Sequence, residues 1–218
     1  MDNKPPTEPV EVKVTKFDRI LASTSLASGN KIKRKMGRKF SRFFIRGWNV
    51  VEAPEMTKAL VVMAPHTSMI DFIHGKLYFS SCGYKPKFLM KAEMFKWPLS
   101  PILRALGAVP IDRSKKVGQI RQVVEAFEKN DNFILVMCPE GTRKKVKNWK
   151  RGFIKMAKNA NVPVFCGFID YKTHSMGIKC ELDMSGDDKE IMNRMKAVYA
   201  PMEGRNKGCF DASPDDES

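Results

Sequence analysis

Between residues 59 and 199, apolar runs of strand length alternate with segments whose apolar residues recur at helical spacing, and this alternation leaves few folds open. The runs are ALVVMA (59–64), KFLM (87–90), AVPI (108–111), FILVMC (133–138), VPVFCGFI (162–169) and MGIKCEL (176–182). Helical periodicity predicts helices over 68–80, around LSPILRALG (99–107), over 114–129, over 152–160 and over 188–199. Ser100 is expected to cap the second of these, with Pro101 at its first position and Gly107 as its stop. Ser114 is expected to cap the third, whose Val117, Ile120, Val123, Val124 and Phe127 share one face. The class implied is α/β, a mostly parallel central sheet with helices on both faces.

Sites in such sheets lie beyond the carboxyl ends of the strands. Three polar clusters occupy those places: His66 to Asp71 in APHTSMIDF, Asp112 and Arg113 in IDR, and PEGTR at 139–143. On one continuous helix His66 and Asp71 would stand about 140° apart, so they can meet only if His66 lies in the turn before the helix and Asp71 in its first turn. Asp71 would then fix the imidazole tautomer, leaving the other nitrogen to take a proton from a hydroxyl. A second reading stays open, because Ser68 and Asp71 also form the S-x-x-D pattern of a capping box. His74 has no companion ligands nearby and is expected on a packed face, so no metal site is expected. Glu140, Gly141, Thr142 and Arg143 form either an anion-binding turn or simply a polar turn that ends its strand. Cys138, in a strand-like run, reads as an inert core thiol.

Charge narrows the partners. Of a net charge of +15, eight positive charges fall in residues 31–48 and six in 143–151, two stretches without an acidic residue. Each patch is expected to face something anionic. Residues 17–47 read as a basic amphipathic helical segment suited to an anionic membrane surface, following a flexible tail (1–16) and preceding the main domain (48–205). Residues 206–218 read as an acidic tail. The longest uncharged stretch, Ala59 to Ile70, has 12 residues, too few for a membrane-spanning helix of roughly 20. An odd set of five cysteines without a CxxC pattern fits reduced thiols of a cytosolic protein.

The clusters together carry more than each alone. PHTSMID, GAVPIDR, PEGTR and VPVF, in this order, resemble the glycerolipid acyltransferase family, whose best-known members are the 1-acylglycerol-3-phosphate acyltransferases; the likeness covers roughly residues 48–170. PHTS and NWKRGF (148–153) look like a compact bacterial-type branch. The resemblance implies His66 as general base, oriented by Asp71, activating an acceptor hydroxyl that attacks an acyl thioester on coenzyme A or acyl carrier protein. It implies that Arg113, Glu140, Gly141, Thr142 and Arg143 hold a lysophospholipid and its phosphate, with Val162 and Pro163 towards the acyl donor and no cofactor. The expected location is cytoplasmic, peripheral on the inner face of the membrane. The chain departs from the family pattern at Pro65, Cys138, Lys144 and Cys166. A basic nucleic-acid- or lipid-binding module without catalysis is the competing reading; RNP-like, KH-like and zinc-finger patterns are absent from the sequence.

Overall fold

The computed structural model describes residues 39–111 and 116–215. Seven strands form one sheet in the order β1-β7-β6-β2-β5-β3-β4. They are β1 (Asn49–Val50), β2 (Lys58–Ala64), β3 (Lys87–Lys91), β4 (Ala108–Ile111), β5 (Phe133–Met137), β6 (Val164–Asp170) and β7 (Ser175–Glu181). Every neighbouring pair is parallel except β6 with β7, which a short turn joins into an antiparallel pair. Among the described residues, the helices that cover the sheet are α1 (Met69–Cys82), α2 (Leu99–Ala105), α3 (Lys116–Lys129), α4 (Gly152–Ala160) and α5 (Asp188–Tyr199). The α/β class expected from the alternation is the class observed.

Period-two alternation splits each central strand between two core layers. Leu60, Val62 and Ala64 of β2 join Phe133 and Leu135 of β5 beneath α3, α4 and α5, with Val123, Phe127, Phe153, Ile191 and Met195 packed over them. Ala59, Val61 and Met63 join Ile134 and Val136 on the other face, beneath α1 and α2, with Phe72, Phe79 and Leu103. The central strands are therefore apolar on both sides, which is why they read as unbroken hydrophobic runs.

Two local expectations are corrected. Ser100 does not cap α2, which starts at Leu99 behind Pro98. The first turn is already closed by the Ser100 amide donating to Lys96 O at 2.9 Å, so Ser100 lies inside the helix and its Oγ accepts from Arg104 Nε. Gly107 follows as expected, at φ +93°, where a Cβ would meet the Pro86 carbonyl oxygen at 2.9 Å.

The segment read as an acidic tail is docked on the domain through residue 215. Lys196 Nζ, wholly buried, donates to Ser213 O (2.9 Å), Lys147 O (2.7 Å) and Asp215 Oδ1 (2.5 Å), while Trp149 Nε1 donates to Asp211 O at 3.0 Å. A buried ammonium needs such partners, and the acidic residues and carbonyls of this segment supply them. The structure describes the basic segment from residue 39, helical over 39–44. Its earlier part, the 1–16 tail and the Ser114 cap lie outside the described residues.

Candidate active site

The strand order puts β2 beside β5, so the loops leaving their carboxyl ends are neighbours. His66 sits in the turn after β2, and Asp71 in the first turn of α1, the arrangement their spacing demands. His66 Nδ1 is 3.5 Å from Asp71 Oδ2. That is the outer limit of a hydrogen bond, and such contacts commonly shorten once substrate is bound. Asp71 Oδ2 also accepts the amide hydrogens of Thr67 (2.8 Å) and Ser68 (2.7 Å), and the Ser68 side chain completes a capping box. The carboxylate thus caps its helix and at the same time faces the imidazole.

Two further groups hold the turn. Glu140, buried, accepts the His66 amide hydrogen on Oε1 at 2.8 Å. From the other side Asn206 donates through its amide to Thr67 Oγ1 (3.1 Å) and through Nδ2 to Thr67 O (2.7 Å). Tyr171, just beyond β6, donates its hydroxyl to Asp71 Oδ1 at 2.9 Å. Spacing could not reveal Asn206 or Tyr171, because each reaches the site from a distant part of the chain.

The electrostatics follow from these contacts. Burial works against charge on His66, but Cys138, when ionised, and the Asp71 carboxylate outweigh it and raise the pKa to about 10. Burial likewise opposes charge on Asp71, yet bonds from His66, the Ser68 amide and Tyr171 hold its carboxyl below the usual range. Glu140 has few compensating donors, and burial pushes it up to about 8.

A cavity of about 950 Å³ opens at this end of the sheet. Met63, Phe72, Gly75, Phe88 and Val136 line an apolar wall, while His66, Asp71 and Cys138 form part of the same lining. Cys138 thus stands just past β5 at the cavity, where the sequence suggested an inert strand thiol. Gly141, Thr142 and Arg143 also line it, as do Lys150, Arg151 and Lys155, so the second basic patch belongs to the site. Glu140 is outside the lining; it supports the turn. Gly141, at φ +70°, spends its amide hydrogen on Cys138 O at 3.1 Å, closing the turn that presents Arg143.

Arg113 lies outside the described residues. Val162 and Pro163 sit at the amino end of β6, where Pro163 O accepts from Leu60, about 16 Å along the strands from the His66 turn. Among the described residues, no His, Cys, Asp and Glu group could hold a metal ion.

The family model described as Acyltransferase matches residues 42–169. Among solved structures, the chain is similar to the 1-acyl-sn-glycerophosphate (LPA) acyltransferase PlsC from Thermotoga maritima, with a TM-score of 0.53 and 20% identity over 85% of this chain and 88% of that one. No curated protein matches.

Proposed function

The chain belongs to the acyltransferase family, and from that premise we propose that it moves a fatty acyl group from an acyl thioester to the hydroxyl of a lysophospholipid, 1-acylglycerol-3-phosphate first among candidates. The observation that carries this reading is the cavity, which joins the His66–Asp71 pair to an apolar wall on one side and a basic rim on the other. An acyl chain needs the first and a phosphate the second.

Asp71 faces His66 Nδ1, so Nε2 is the nitrogen left for the substrate. In the neutral imidazole it takes the proton of the acceptor hydroxyl as that oxygen attacks the thioester carbonyl carbon. The tetrahedral intermediate collapses by breaking the carbon–sulfur bond, and the imidazolium returns its proton to the leaving thiolate. A base so positioned contributes roughly 10² to 10⁴ in rate. Arg143, Lys150 and Lys155 would hold the acceptor phosphate or the phosphates of a coenzyme A or carrier-protein donor.

Access from a bilayer fits the surface. Phe40, Phe43 and Phe44 are 63%, 66% and 55% exposed, among Lys39, Arg42 and Arg46. Ile70 and Ile73 of α1 and Leu99 and Ile102 of α2, with Trp97 beside them, are also exposed and belong to the same side of the sheet. The helices on the other side contribute no exposed large hydrophobic residue among those described. Aromatic groups among cations suit the headgroup layer, each cation adding about 1 kcal/mol near an anionic leaflet. No described helix is long and apolar enough to cross a membrane. Peripheral attachment at the cytoplasmic face is the arrangement proposed.

The test is acyl transfer from a labelled long-chain thioester to a panel of lyso-acceptors on anionic vesicles, wild type beside His66→Ala. Transfer to a phosphate-bearing acceptor, lost in the variant, supports the reading. Equal signals from both proteins would overturn it.

A further inference from the structure

Tyr171 stands a hundred residues after Asp71, yet its hydroxyl donates to Asp71 Oδ1 at 2.9 Å. The same oxygen lies 3.0 Å from His74 Nδ1. With the phenol proton committed to the carboxylate, the phenol oxygen is left to accept, so His74 must be the tautomer that donates from Nδ1. A directed chain results: His74 Nδ1–H to Tyr171 oxygen, Tyr171 O–H to Asp71 Oδ1, and Asp71 Oδ2 facing His66.

Trp48 seats the outer end of this chain. Its ring centroid is 4.8 Å from that of His74 and 5.1 Å from that of Tyr171, the latter edge-on. Tyr171 is itself anchored, its amide donating to Glu203 O at 3.0 Å. The geometry answers a need of the carboxylate. The amides of Thr67 and Ser68 and the imidazole all meet Oδ2, which leaves Oδ1 without a backbone donor. Among the described residues only the phenol fixes that second oxygen, and with it the carboxylate plane that His66 faces.

We propose that Tyr171, oriented by His74, is a positioning residue for the His66–Asp71 pair: its hydroxyl fixes the plane of the Asp71 carboxylate and takes up part of its charge, setting how firmly His66 holds a proton. This rests on His66 being the base of the reaction proposed above. The groups facing His66 are Asp71, Cys138 and Glu140, and those facing Tyr171 are Asp71, His74 and Arg205. Tyr171→Phe leaves all of them in place and keeps the ring that packs on Trp48.

The protein has three histidines, His66, His74 and His174, so their imidazole proton signals can be followed individually by NMR and assigned with His74→Phe and His174→Gln. In Tyr171→Phe the Asp71 charge is left more fully to His66. The His66 midpoint is expected to rise by roughly half a pH unit or more, a part of what one hydrogen bond to a charged group carries. The acid limb of kcat should move with it, and kcat at neutral pH should fall about threefold or more while KM for donor and acceptor stays within about twofold.

His74→Phe should act in the same direction, more weakly, and decides the matter should Tyr171→Phe fail to fold. A variant that melts earlier but leaves the His66 midpoint and the limb of kcat unmoved would show that Tyr171 only packs, and the proposal would fall. Should the wild type transfer no acyl group, the functional reading fails, while the titration still decides whether Tyr171 governs His66.

Discussion

Asp71 meets the His66 ring and the start of α1 through one oxygen: Oδ2 is 3.5 Å from His66 Nδ1, 2.8 Å from the Thr67 amide nitrogen and 2.7 Å from that of Ser68. The start of the helix and the orientation of the base are therefore coupled, and substitutions can separate them. Ser68→Ala removes one cap and should cost about 1 kcal/mol of stability with kcat within a few-fold of wild type. Asp71→Asn weakens the cap as well, and should lower kcat by roughly 10² to 10⁴ because the imidazole loses its charged partner. Thermal melts beside steady-state kinetics make the comparison. Equal losses of kcat in the two variants would mean that Asp71 acts only as a cap.

The pH dependence has a definite sign. His66 can accept a proton only when neutral, and its pKa lies near 10, raised against the effect of burial by Cys138 and Asp71. The rate should climb with pH through the alkaline range, about tenfold per unit well below that pKa. Removing the thiol in Cys138→Ala takes away one cause of the rise, so the limb should move to lower pH. A profile that levels off near pH 7 in the wild type would contradict the raised value.

Glu140 tests whether the PEGTR turn binds substrate through its carboxyl. It is buried, accepts the His66 amide hydrogen and has a pKa near 8, above its ordinary value. A group raised in this way stabilises the fold fully below its unfolded value and loses that contribution as pH rises through the folded one. Glu140→Gln keeps an oxygen for the His66 amide and removes the titration. Its stability should fall less steeply than that of wild type between pH 4.5 and 8, the difference approaching at most about 1.4 kcal/mol per pH unit. Urea melts across that range measure it, and parallel slopes would refute the assignment.

The Thr67 side of the turn is as tightly held. A Cβ on Gly204 would stand 2.5 Å from Thr67 Cγ2 and 2.8 Å from its Oγ1, so Gly204→Ala must push the turn or the segment after α5 out of place. A displacement near 1 Å at a reacting group can cost about 10²-fold. The expected result is a kcat reduced at least tenfold with a lowered melting temperature. Unchanged kinetics would show that the turn tolerates the shift.

What could be read from the chain beforehand, and what could not, divides by distance along it. The runs 59–64 and 133–138 announced their strands because both faces are buried, and PHTSMID announced a turn and a capped helix because those contacts span only a few residues. Ser100 misled because the closing bond of that turn comes from a backbone carbonyl, Lys96 O, which sequence pattern does not display. Residues 206–215 read as a tail because their composition is polar; their partners, Lys196, Trp149 and Thr67, lie in other elements. Tyr171 and Asn206 were silent for the same reason. Their contacts arise only once β6 lies beside β2 and the chain after α5 returns over the site.

The apolar wall of the cavity gives the last prediction. Gly75 lines it from α1, and a Cβ there would find only ordinary contacts, Phe88 Cε1 at 3.7 Å and Met63 Cε at 4.0 Å. A larger side chain can therefore be accommodated by growing into the cavity, at the expense of the space an acyl chain would occupy. Each methylene excluded from that wall forfeits about 0.8 kcal/mol of burial. Gly75→Leu should consequently lower kcat/KM for long-chain thioesters by tenfold or more, leave medium-chain donors within about threefold, and keep the acceptor KM unchanged. Competition between donors of different length in one reaction reads the ratio directly. A uniform loss across chain lengths would place the acyl chain elsewhere and return the apolar wall to the core.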